Sequence, residues 1–252
     1  MTAETDVLPE IRVDFSKLPQ SRLRTMQAAG EVVVESMRVL AKTGHNIVGE
    51  LLRDSENFYE WDHYPDGDIY DPESHAQFYY HAHPQEVRIG EHGHFHTFLR
   101  ARGIPDGVRP LALPDYEAPA DRNDDLSHLI AISMDPSGLP IRLFSTNRWV
   151  TGETWYRADD VCALIDRFEI DHAQPSWPVN RWIGAMLQLF QPQAAALIRA
   201  RDARLKTWRV GREEQNIYED RDLEITAALD ISIDDQISAV AEALAGKDRA
   251  AG

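Results

Sequence analysis

Two short runs constrain this chain more than any other feature: His81-Ala82-His83, and then His92-Gly93-His94-Phe95-His96. Seven of the ten histidines lie between His63 and His96. In an extended strand, residues i and i+2 leave the same face, roughly 6.6 Å apart along the chain. His81 and His83 therefore share a face, as do His92, His94 and His96. Residues 77–83 and 92–99 read as strands joined by 84–90. If they pair, or neighbour one another in one sheet, the two histidine faces converge. Crowded imidazoles repel one another as soon as one protonates, whereas the neutral ring is a common ligand for zinc, iron, copper and nickel. The pattern predicts a sheet that presents a transition-metal site.

His81, His83, His94 and His96 are the expected ligands, with His63 or Glu91 able to replace one of them. Glu91 has three chemically reasonable roles: carboxylate ligand, holder of an imidazole N–H, or general base. Tyr79 has the strand parity of His81 and His83, which predicts a place beside the site. Arg148, in the run TNRWVTGETWY, is the candidate for gripping an anionic substrate. The alternative for it is a surface ion pair with one of the 42 acidic residues. His45 and His172 fall in helical or linker contexts and read as structural, and His128 opens a strand.

The rest of the chain supplies a scaffold. Leu23, Met26, Val33, Met37 and Leu40 recur at helical spacing, predicting a helix over 18–53 that bends near Gly44. Ser16 or Ser21 could cap its start, with Pro19 in the first turn. Residues 57–71 read as a loop. Strands are expected over 127–134 and 139–145, with Asp135-Pro136-Ser137-Gly138 as the turn. Val161, Leu164, Ile165 and Phe168 form a helical stripe that takes Cys162 into the core. Helices over 177–190 and 193–208, a strand over 223–231 and a helix opened by Ser232 and Asp235 complete the chain. The fold class is α+β: a central antiparallel sheet flanked by N-terminal and C-terminal helices. The expected organisation is a flexible arm over 1–15, one domain over 16–245 with 103–127 as a lid or surface excursion, and a flexible tail over 246–252.

Composition removes several classes of function. With 26 basic and 42 acidic residues the formal charge is −16, which repels nucleic-acid backbones and anionic membranes. No stretch approaches 18 uncharged apolar residues, and the acidic start lacks a secretory core, so a cytoplasmic location is expected. A single cysteine, Cys162, excludes an internal disulfide and an all-cysteine cluster. No H-E-x-x-H, G-x-S-x-G or phosphate-binding glycine loop is present. The cupin pattern also fails, because His75 stands where it requires glycine, its glutamate lies too near, and its second motif is missing.

The segment GEHGHFHTFLR, with HYPDGDIYD upstream and FSTNRWVTGETWY downstream, resembles a family of uncharacterised bacterial proteins with a domain of unknown function. The resemblance covers most of residues 20–210 and implies no activity. The residues themselves point to a histidine-ligated metalloenzyme acting on a small molecule, with a homodimer as a possible assembly. Iron is preferred, as in non-haem oxygenases and oxidases, because Tyr59, Trp61, Tyr64, Tyr79, Tyr80 and Phe95 surround the histidines. A zinc hydrolase or lyase is the first alternative, and copper is a further choice of metal. A haem or metal carrier or sensor without catalysis is the second alternative.

Overall fold

The computed structural model describes residues 8–251 except 85, 87 and 115. Six strands follow one another as an antiparallel meander, each bonded to the next: β1 (Tyr64–Tyr70), β2 (Ala76–His81), β3 (Gly93–Arg100), β4 (Leu126–Met134), β5 (Pro140–Thr146) and β6 (Ile225–Asp230). Seven α-helices accompany them among the described residues: α1 (Gln20–Ala41), α2 (Ile47–Leu51), α3 (Arg148–Thr151), α4 (Ala158–Leu164), α5 (Trp177–Leu189), α6 (Gln191–Trp208) and α7 (Ile233–Ala251). The fold is α+β, a central antiparallel sheet with helices before and after it. No helix among the described residues is long and apolar enough to cross a membrane.

Alternation along the strands separates two faces. Phe78, Tyr80, Phe95, Leu99, Ile130, Ile132 and Leu143 join Leu23 and Val33 of α1 and Trp182 of α5 in one buried apolar cluster. The Phe95 and Trp182 rings lie 5.7 Å apart. Each such side chain removed from water stabilises the fold by about 1.5–3 kcal/mol, so this face fixes the register of the sheet against the helices. The opposite parity then goes to the histidines.

Several local features have direct causes in the sequence. Asp135 closes the β4–β5 turn by accepting the N–H groups of Ser137 and Leu139, both at 2.8 Å, with Gly138 at φ +78°. Asn46 caps α2 through Gly49 N–H at 2.7 Å, and Ser232 Oγ accepts Asp235 N–H at 3.2 Å at the start of α7. Gly44, three residues past the end of α1, takes φ +75° in the turn that leads to α2. The cap of α1 differs from expectation: Pro19 occupies the N-cap in place of Ser16 or Ser21, and no side-chain cap is made. A proline has no N–H to leave unsatisfied there.

Two elements differ more. Residues 64–70 form an edge strand rather than part of a loop. Its pairing with β2 is irregular between Tyr64 and Ile69, where Gly67 and Asp68 take positive φ. An edge tolerates the proline and glycine that hid the strand in the sequence. At the other end, α7 continues through residues 246–251, where a flexible tail was expected. Residues 1–7 of the expected arm and residue 252 lie outside the described residues. Between 104 and 121 the described residues form no helix or strand. That segment is tied down where Leu111 N–H reaches Trp155 O at 2.8 Å.

Candidate metal centre

β2 and β3 pair so that His81 stands opposite His94 and Tyr79 opposite His96. This register requires glycine at position 93. A Cβ there would come 2.5 Å from the His81 carbonyl oxygen and 2.6 Å from the Tyr80 hydroxyl, so any larger residue would push the strands apart. His83 lies just past the end of β2 rather than within it, yet its ring turns back onto the same face. Its centroid is 5.0 Å from that of His81 and 5.2 Å from that of His94. One ligand nitrogen from each of His81, His83 and His94 falls within a 4.8 Å cluster.

Protonation favours ligation. Burial, followed by the neighbouring imidazoles of His94, His83 and His63, depresses the pKa of His81 to about 2. Burial also holds His94 well below the usual histidine value. Neutral rings are the form that donates a lone pair to a cation.

Hydrogen bonds decide which lone pairs are free. Glu91 Oε1 lies 2.6 Å from His94 Nδ1, and a carboxylate can only accept, so that nitrogen carries the proton. His94 Nε2 is then a bare acceptor, 2.7 Å from His81 Nε2. Two nitrogens bound at about 2.0–2.1 Å to one tetrahedral ion stand roughly 3.3 Å apart. An ion would therefore replace the shared N–H···N proton after the rings part by about half an ångström. Glu91 is in turn flanked by Arg88, whose Nη1 is 3.8 Å from Oε2 and whose other arm is bonded to Glu224. The Arg88 guanidinium also sits 4.8 Å above the Phe144 ring, closing this side of the site.

The remaining expected residues occupy different places. His96 is fully buried, but its Nδ1 meets His128 Nε2 at 3.0 Å, and it is outside the three-nitrogen cluster. A bulge in β4 skips Leu129 between the pairs Thr97–Ile130 and Phe98–His128. That extra residue brings His128 onto the histidine face. His63 is not in the cluster either. It stacks on Tyr79 with centroids 3.6 Å apart, 5.7 Å from the His81 ring, and its Nδ1 lies 3.1 Å from Asp68 Oδ1. Tyr79 is beside the site as expected, 5.5 Å from His81 between ring centroids.

Arg148 is bonded to Glu219 and stands over Tyr116, so its observed contact is the ion pair that the sequence offered as its alternative. Of the expected aromatic surround, Tyr80 and Phe95 face the helical core, while Trp61 packs edge-on against His83 at 4.2 Å. Arg88 and Glu224 were not singled out from the sequence. For Arg88 a signal existed: its position three residues before Glu91.

The class is thus set by the fold and the site: an α+β protein whose meander sheet carries a three-histidine cluster able to hold a transition metal, with a carboxylate orienting one ring. Residues 26–231 match DUF6969, a domain of unknown function; the chain belongs to that family. No curated protein and no solved structure matches it significantly.

Proposed function

We propose that the chain is a metal-dependent enzyme acting on a small molecule, with His81, His83 and His94 as ligands and at least one coordination position open to water or substrate. The observation that carries this reading is the Glu91–His94 contact at 2.6 Å. A carboxylate that fixes the tautomer of a buried imidazole is the outer half of the carboxylate–histidine–metal arrangement, and it raises the ligand's basicity. Three histidines plus an open fourth position is also a donor set of catalytic zinc.

The engagement of Glu91 bears on the choice of metal. An iron site of two histidines and one carboxylate would need Glu91 on the ion, but Glu91 is engaged by His94 and flanked by Arg88. Zinc with hydrolase or lyase chemistry therefore becomes the first reading. A bound zinc would lower the pKa of a water or polarise a substrate carbonyl. His63, its side chain 43 % exposed and paired with Asp68, would accept the proton, the general-base role that the sequence offers to Glu91. Iron remains the second reading, favoured by Tyr79 and Trp61 against His81 and His83.

Cobalt substitution tests the open position. The Co(II)-loaded protein should give a visible spectrum of low coordination number that shifts when azide is added. An unchanged spectrum with azide would mean a closed shell and a carrier or sensor.

A further inference from the structure

A hollow of about 950 Å³ opens between α1, α5, the β1–β2 turn and residues 166–171, in the helical layer and away from the histidine face. We propose that it binds a small zwitterion of amino-acid or dipeptide size, a carboxylate beside an ammonium group. The volume lies in the range of sites that enclose small organic ligands.

The wall is built rigidly. Ser74 Oγ donates to Glu169 O at 2.5 Å, and Asp71 accepts the N–H groups of Glu73, Ser74 and Asp171. Gly103 must be glycine, because a Cβ would lie 2.6 Å from the Ser74 carbonyl oxygen.

Two side chains on this wall have hydrogen-bonding atoms whose roles are fixed by their neighbours. Asn180, only 1 % exposed, spends both N–H groups on His172 O and Gln174 O at 2.8 and 2.7 Å. Its Oδ1 is then a pure acceptor, buried with no partner. With almost no accessible surface that oxygen is closed to the hollow, so a ligand's ammonium would fall to the carboxylates of Glu73, Glu169 and Asp171.

His75 is the opposite case. Asn123 takes Arg102 N–H on its oxygen and gives its own N–H to the Tyr70 oxygen at 3.0 Å. The Tyr70 O–H is free to donate to His75 Nδ1, 2.5 Å away. In the neutral ring the proton is therefore on Nε2, a donor left for an acceptor such as a carboxylate.

Charge of both signs lines the same hollow. Arg102, Arg167 and Arg181 stand with Glu73, Glu169 and Asp171, and among the described residues none of the six forms an ion pair. Arg167 is oriented by its Nε bond to Gly103 O at 2.9 Å, which leaves its two Nη groups to meet a carboxylate. A ligand with one charge would satisfy half of this surface, and a zwitterion satisfies both halves. Trp177 beside Arg181 adds a ring for the ligand's side chain.

Calorimetric titration of the metal-loaded full chain tests the proposal. The probes are the twenty amino acids and a set of glycyl dipeptides, with acetate and ethylammonium as single-charge controls. At least one zwitterion should bind with a Kd below about 1 mM while neither control does. Arg167→Gln, at an exposed position, and His75→Asn, which tolerates the left-handed backbone at φ +62°, should each weaken it about tenfold. Metal content should be the same in both variants. The proposal is overturned if no zwitterion binds, if acetate binds as well as the best of them, or if Arg167→Gln leaves the affinity unchanged.

Discussion

Glu91 Oε1 sits 2.6 Å from His94 Nδ1, and both side chains are buried. That contact dictates which nitrogen of His94 is free, and so which way a cation can be held. Replacing Glu91 by glutamine keeps the shape but weakens the acceptor and removes the charge. Metal affinity should fall by about 10–100-fold, measured by competition with a chromophoric chelator, with little change in Tm.

Ligand and neighbour can be separated by substitution. His81→Ala and His94→Ala should each remove most of the bound metal. His63→Ala should retain it, because its ring stacks on Tyr79 and is outside the three-nitrogen cluster. With a substrate in hand, the His63 variant should instead lose turnover. Equal metal content in all three variants would remove the assignment of ligands.

Gly93→Ala examines the strand pairing that makes the site. The added methyl collides with the His81 carbonyl and the Tyr80 hydroxyl, and overpacking of this kind costs about 1–3 kcal/mol. Thermal unfolding should show a clear drop in Tm together with loss of metal, whereas Gly184→Ala, inside α5 where a Cβ meets nothing within 4 Å, should raise Tm slightly and keep the metal.

Glu153 gives a pH prediction independent of the metal. Burial, opposed by Arg201, the His128 N–H and Arg148, raises its pKa from 4.5 to about 7. The folded chain holds that proton more tightly than the unfolded one. Its contribution is therefore fully present below pH 4.5, declines as pH rises, and is lost above about 7. Glu153→Gln should flatten this slope. Denaturant unfolding should find the variant gaining stability relative to the parent between pH 5 and 8, by a few kcal/mol at most.

The legibility of the chain followed its regularity. The β4–β5 hairpin and the amphipathic helices were readable because Asp135-Pro136-Ser137-Gly138 and the stripe Leu23, Met26, Val33, Leu40 each obey one simple period. The convergence of the two histidine faces was readable from strand parity on the condition that β2 and β3 pair, as they do. His63 and His96 were not separable by spacing from the three histidines of the cluster, because spacing specifies a face but not how near the ring nitrogens come to one another. The place of His128 depended on a bulge at Leu129, and β1 on an edge that accepts Pro65 and Gly67. Arg88 and Glu224 meet only after the sheet has formed, from sites 136 residues apart.

The central claim is that three imidazoles hold an ion. Elemental analysis of untagged protein, as purified and after dialysis with zinc or anaerobic iron, tests it most directly. The account predicts about one equivalent of a single transition metal per chain, absent from the His81→Ala, His94→Ala double variant. A parent protein that stays below about a tenth of an equivalent after both treatments, or a double variant that binds as much as the parent, would contradict it.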